Sequence, residues 1–141
     1  MTLTLDLHAQ PEVPLEIEGL HPAALRALTT SEIARHQVHH GNRSCELGEF
    51  FRVQGDARDM ALVFQGDLRH VHWLGAHMSE GTVRVEGSAG RHVGSGMFGG
   101  VLEVRGDVGD YAGGEMRGGR LSIHGNAGDL LGAGYYGSRR G

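Results

Sequence analysis

Apolar and polar residues alternate with a period of two at three evenly spaced places in this chain. Val83 and Val85 flank Arg84 and precede Glu86; Leu102 and Val104 alternate with Glu103 and Arg105; Leu121 and Ile123 alternate with Ser122 and His124. A period of two puts one set of side chains on one face, which predicts three half-buried strands. Each strand opens a longer segment, and residues 81–99, 100–118 and 119–137 align on one another without a gap, each 19 residues after the last. Self-similarity near 20 residues predicts a solenoid, in which a coil cannot bury its apolar side alone and stacks on its neighbours.

Glycine recurs at equivalent places in each segment: Gly87, Gly106 and Gly125; Gly90, Gly109 and Gly128; Gly94, Gly113 and Gly132. A coil this short turns several times, and glycine tolerates the turns. Between the corners the ladders Ala89/Val108/Ala127, Val93/Ala112/Leu131 and Met97/Met116/Tyr135 offer small or apolar residues for stacking. At about 4.8 Å per stacked strand, three coils span only about 14 Å, so further coils or a cap are needed to close the core.

The chain before the repeats is organised differently. Leu3, Leu5 and Leu7 alternate with polar residues, Pro11 and Pro14 interrupt, and Leu15 to Glu18 resumes, which predicts two short strands paired as a hairpin. Pro22 starts a predicted helix running to Leu28, and Thr30 or Ser31 caps a second one to about His36. Strand-like segments return with Phe50, Phe51 and Val53. Residues 62–80 read as a degenerate coil, since Gly75 and Met78 precede Gly94 and Met97 by 19 residues while Gly66 is two out of step with Gly87. The expected fold is therefore all-β: a single-stranded right-handed β-helix (β-solenoid) with 19-residue coils and a small mixed α/β N-terminal cap. The expected organisation is a cap over 1–45, degenerate lead-in coils over 46–80, three regular coils over 81–137 and the start of a further coil over 138–141.

Composition narrows the function. Glycine contributes 25 of 141 residues, all 13 basic residues are arginine, and the net charge is −4. Arginines that alternate with acids make a solvated strand face, which argues against a nucleic-acid footprint. The single Cys45 cannot form an intrachain disulfide or hold an iron–sulfur cluster alone. No basic-apolar leader opens the chain and no apolar run reaches about 18 residues, so a cytoplasmic location away from membranes is expected.

Candidate chemistry is sparse. Gly94-Ser-Gly-Met-Phe-Gly99 fits the dinucleotide fingerprint, but a strand follows where the phosphate-binding helix belongs, and the pattern recurs at Gly132 to Gly137 in phase with the coil. It reads as a corner. His70 and His72 share a predicted strand face, with His77 and His92 near if the coils stack in register. No carboxylate stands at a helpful spacing, so exposed histidines are the simpler expectation. His36, His39 and His40 form a similar His-rich turn. Asp107, Asp110 and Asp129 sit beside corner glycines, where Asp bonds local backbone, and Cys45 has no activating partner in the sequence. No catalytic, cofactor-binding or metal residue is assigned.

The coil pattern, with glycine at its corners and methionine near its end, resembles the glycine-rich β-helical domain shared by the C subunit of formylmethanofuran dehydrogenase and the large subunit of glutamate synthase. Met1-Thr-Leu-Thr-Leu5, Leu28-Thr-Thr-Ser-Glu-Ile-Ala-Arg35 and Leu47-Gly-Glu-Phe-Phe-Arg-Val53 are similar to the opening of the C subunit in the bacterial formyltransferase/hydrolase complex. The resemblance implies a subunit without an active centre of its own, beside a metal-dependent hydrolase, a dehydrogenase-like chain and a formyltransferase. It implies that those partners, and not this chain, use a metal ion, tetrahydromethanopterin and a methanofuran-type carrier. Relatives continue through further coils, so the chain is expected to be a fragment, or a short form that self-associates or is covered by another chain at its open end. The readings from other classes are a stand-alone β-solenoid interaction module and a detached domain of the glutamate synthase type. Neighbouring genes for hydrolase and formyltransferase subunits would separate them.

Overall fold

A computed structural model describes residues 2–128. In chain order the elements are β1 (Leu3–Leu7), β2 (Leu15–Glu16), α1 (Pro22–Leu25), α2 (Thr30–Ala34), β3 (Gln37–His40), β4 (Arg43–Glu46), a 3-10 turn (Leu47–Glu49), β5 (Phe51–Gln54), β6 (Ala61–Gln65), β7 (Val71–His72), β8 (Thr82–Glu86), β9 (Phe98–Val104) and β10 (Gly118–Ile123). They form a β-solenoid whose strands stack into a six-stranded sheet, ordered β10-β9-β8-β6-β1-β5, and a four-stranded sheet, ordered β4-β3-β2-β7.

The predicted alternation is the packing rule of the larger sheet. Val83 pairs with Leu102 and Leu102 with Leu121; Val85 pairs with Val104 and Val104 with Ile123, all parallel. The inward rungs continue upstream, through Leu62 and Phe64 on β6 to Leu3 and Leu5 on β1. Leu3, Leu5, Phe64, Val85, Leu102 and Val104 are fully buried, and each such side chain contributes about 1.5–3 kcal/mol relative to exposure. Leu121 and Ile123 on β10 are only partly buried. Of the other predicted ladders, Ala89, Val108, Val93, Ala112 and Met97 are buried, Met116 is half-buried and Ala127 exposed. Leu131, Gly132, Tyr135 and Asp129 lie outside the described residues.

The expected β1–β2 hairpin does not form. β1 inserts between β6 and β5 in the larger sheet, while β2 pairs with β3 and β7 in the other. The physical reason is length: β1 offers a full set of inward leucines that match the rungs of β6, whereas the two-residue β2 cannot. The first helix is also shorter than expected and ends at Leu25. The cap of α2 is Thr29 and not Thr30 or Ser31. Its Oγ1 accepts the Glu32 N–H at 3.2 Å while Glu32 Oε1 accepts the Thr29 N–H at 2.9 Å, a reciprocal capping box.

The degenerate coil is explained by a two-residue insertion. β6 and β8 pair 21 residues apart, and so do Leu68 and Ala89. The Val71 N–H then donates to the Leu68 carbonyl at 2.9 Å, which closes a turn and extrudes Arg69 and His70. From Val71 onward the spacing returns to that of the regular coils, with the Gly90 N–H donating to the Val71 carbonyl at 2.9 Å.

Candidate functional site

Several titratable side chains gather where the four-stranded sheet meets the coils. Glu16 on β2 pairs with His39 on β3 and His72 on β7, and Glu18 reaches His77 with a 2.6 Å contact between Oε2 and Nε2. The contact joins the non-repeating segment to the coil, although both side chains are half-exposed.

His72 does not act as the sequence suggests. It is buried, while His70 stands exposed in the extruded turn, so the two imidazoles share no ligand-ready face. The Arg91 N–H donates to His72 Nδ1 at 2.7 Å, which leaves the ring proton on Nε2. Burial, followed by the charges of Arg91, His70 and His92, lowers its pKa to about 4. The ring lies so close over the backbone that a Cβ at Gly90 would stand within 2.4 Å of Nδ1. Gly90 is therefore a packing requirement of this imidazole.

Beside it runs a column of rings that the sequence pattern did not predict. Trp73 stacks on His92 with centroids 4.1 Å apart and planes at 6°, and His92 stacks on Tyr111 at 5.1 Å and 4°. All three occupy left-handed backbone, with φ of 67°, 60° and 63°. Such a conformation costs a non-glycine residue about 1–2 kcal/mol, and aromatic stacking returns a comparable amount per pair, about 0.5–1.5 kcal/mol. The signal was present as the 19-residue spacing of positions 73, 92 and 111, hidden because the three residue types differ. Burial and Arg91 lower the His92 pKa, against the opposing pull of Glu16 and Glu18. His21, at the start of α1, is lowered by burial and by His77.

The other candidates are structural in what they touch. His36 has a lowered pKa through burial, and His40 packs on Phe50 with centroids 4.8 Å apart. Asp107 Oδ1 accepts the Asn126 N–H at 2.7 Å, stitching one corner to the next. Cys45 is buried, with Arg43 Nη2 3.8 Å from Sγ. The Gly94 to Gly99 motif leads directly into β9. Among the described residues no group of three or more His, Cys, Asp or Glu is arranged to hold a metal ion, and no helix is long and apolar enough to cross a membrane. The contacts of His72 and Asp107 hold strands and corners in register.

No protein-family model matches the chain. It is 40% identical over 90 residues to the C subunit of the tungsten-containing formylmethanofuran dehydrogenase 2 of Methanothermobacter thermautotrophicus, covering 61% of this chain and 33% of that protein. It is 34% identical over 90 residues to the C subunit of the formyltransferase/hydrolase complex Fhc of Methylorubrum extorquens, covering 64% of this chain and 34% of that protein. Among solved structures it is similar to a chain in the crystal structure of the formyltransferase/hydrolase complex FhcABCD from Methylorubrum extorquens with methylofuran. That match has a TM-score of 0.89 and 33% identity over 96% of this chain and 51% of that one. The chain thus spans about a third of these curated relatives and about half of the solved chain. This chain is a homologue of the C subunits of formylmethanofuran dehydrogenase and of the formyltransferase/hydrolase complex.

Proposed function

We propose that this chain is a non-catalytic scaffold part of a formylmethanofuran dehydrogenase-like formyltransferase/hydrolase complex. In this reading the complex moves formyl groups from tetrahydromethanopterin to a methanofuran-type carrier and releases formate in one-carbon metabolism. The partners are a hydrolase, a dehydrogenase-like chain and a formyltransferase. The observation that carries the reading is the match of 96% of the chain, at a TM-score of 0.89, to one chain of a multi-subunit complex bound to methylofuran. The local chemistry supports it: the buried His72 accepts a backbone N–H, Asp107 ties two corners, and the glycine motif turns a coil, so these groups are spent on architecture.

Assays of formyl transfer and formate release test the proposal. The purified chain alone is expected to turn over neither formylated carrier, and adding it to the three partner chains is expected to raise the yield of assembled, active complex. Turnover by the single chain, or full assembly without it, would overturn the reading.

A further inference from the structure

β2 joins the coils through a short seam, in which Leu15 and Glu16 pair with Val71 and His72. The Leu15 N–H donates to the His70 carbonyl at 2.9 Å, and the Ile17 N–H to the His72 carbonyl at 3.1 Å. The chain on either side of this excursion is anchored elsewhere. Leu7 on β1 pairs with Phe51 on β5, and the His8 N–H donates to the Phe50 carbonyl at 2.9 Å. Both ends are thus clamped at the six-stranded sheet, and β2 can leave β7 without breaking a hydrogen bond of that sheet.

His72 holds the seam only while its Nδ1 is unprotonated. That atom accepts the Arg91 N–H at 2.7 Å, and a protonated Nδ1 would set one donor against another. The groups around it make a second positive charge costly. His70 stands on its own turn, and Arg91 and His92 approach from the next coil. From β2 comes one acid, Glu16, in register with His72 and with His39 beyond it on β3. Glu16 is exposed, so water screens its carboxylate. The Glu18–His77 contact acts in the opposite sense, since an ion pair there needs a protonated His77, which His21 also faces. Both of its side chains are half-exposed, which makes it the weaker of the two effects.

We infer that the β2–β7 seam is an acid-released latch: protonation of His72 expels its ring from beneath the Arg91 N–H, and β2 lifts from the coils while the six-stranded sheet stays folded. The inference goes beyond the scaffold reading and stands independently of it. At neutral pH the burial of Leu15, Ile17 and Val71 keeps the seam closed. In the closed form the His72 pKa is about 4, whereas a ring released into water returns toward the ordinary 6.5. The open form therefore binds the extra proton, and opening is favoured progressively as pH falls from about 6.5 toward 4.

The test is residue-resolved amide hydrogen exchange on the full chain at about pH 7.5 and pH 5, with intrinsic rates corrected for pH. Protection of the Leu15 and Ile17 amides is expected to fall at least ten-fold between the two. At pH 5 these amides are expected to be at least ten-fold less protected than those of β8, the strand between β6 and β9. In His72→Asn, whose side-chain oxygen replaces the acceptor without titrating, the fall is expected to shrink below three-fold. A smaller fall in the wild-type chain, equal protection in β2 and β8, or an undiminished fall in His72→Asn would overturn the inference. Nitrogen NMR of the wild-type imidazole supplies a check that needs no variant. A doubly protonated His72 ring in a chain whose Leu15 and Ile17 amides remain protected would overturn it as well.

Discussion

The two sheets hold one chain together by different means. In the six-stranded sheet the inward rungs repeat apolar side chains, and Leu3, Leu62, Val83, Leu102 and Leu121 follow one another across five strands. Any rung supports the next through non-directional burial. The four-stranded sheet rests on a two-residue strand, β2, and depends on particular polar atoms: His72 Nδ1 under the Arg91 N–H, the bare Gly90 beneath that ring, and Glu18 against His77. Redundant burial is insensitive to pH and tolerant in detail, whereas directional contacts fail one at a time.

The largest effect should come from charging a rung. Val104→Asp buries a carboxylate between Val85 and Ile123 and should cost about 4 kcal/mol or prevent folding, as read by denaturant unfolding. Arg105→Asp, on the outward side of the same strand, should stay within about 0.5 kcal/mol. Equal losses would mean that the two faces are assigned the wrong way round.

Next in size is Gly90→Ala. A Cβ there would lie 2.4 Å from His72 Nδ1 and 2.5 Å from the Val71 carbonyl oxygen, and the latter is backbone that cannot swing aside. A loss of about 2 kcal/mol or more is expected. Full stability in that variant would show that the second sheet is looser than the packing implies.

A smaller effect is tied to pH. The folded pKa of His72 is about 4, below the ordinary 6.5. Between these values the unfolded chain binds more protons, so stability rises with pH through this window and is lost as pH falls from about 6.5 toward 4. The contribution is of order 2 kcal/mol after allowance for partial screening. His72→Gln should flatten the acid limb of a stability–pH curve, and an unchanged limb would remove His72 as its cause. The smallest effect should come from Glu18→Gln. Its half-exposed pair with His77 should contribute no more than about 0.5 kcal/mol and fade with salt.

The repeat made one sheet legible in advance. Alternation at positions 83–86, 102–105 and 121–124 determined which side chains turn inward, because a strand's two-residue period leaves no other choice. The 19-residue spacing likewise determined which residues stack, and the strand after Gly99 was enough to set aside a nucleotide loop. Tertiary structure alone decided where the non-repeating residues go. β1 joins the large sheet because its leucines fit the rungs of β6, a match 59 residues away that no local pattern contains. The two-residue slip at Gly66 was visible, but only the turn from Leu68 to Val71 shows that Arg69 and His70 absorb it. His72 and the Trp73, His92 and Tyr111 column were unreadable for the same reason: burial and ring stacking depend on what the neighbouring coil places overhead, and a sequence records order along the chain but not proximity across it.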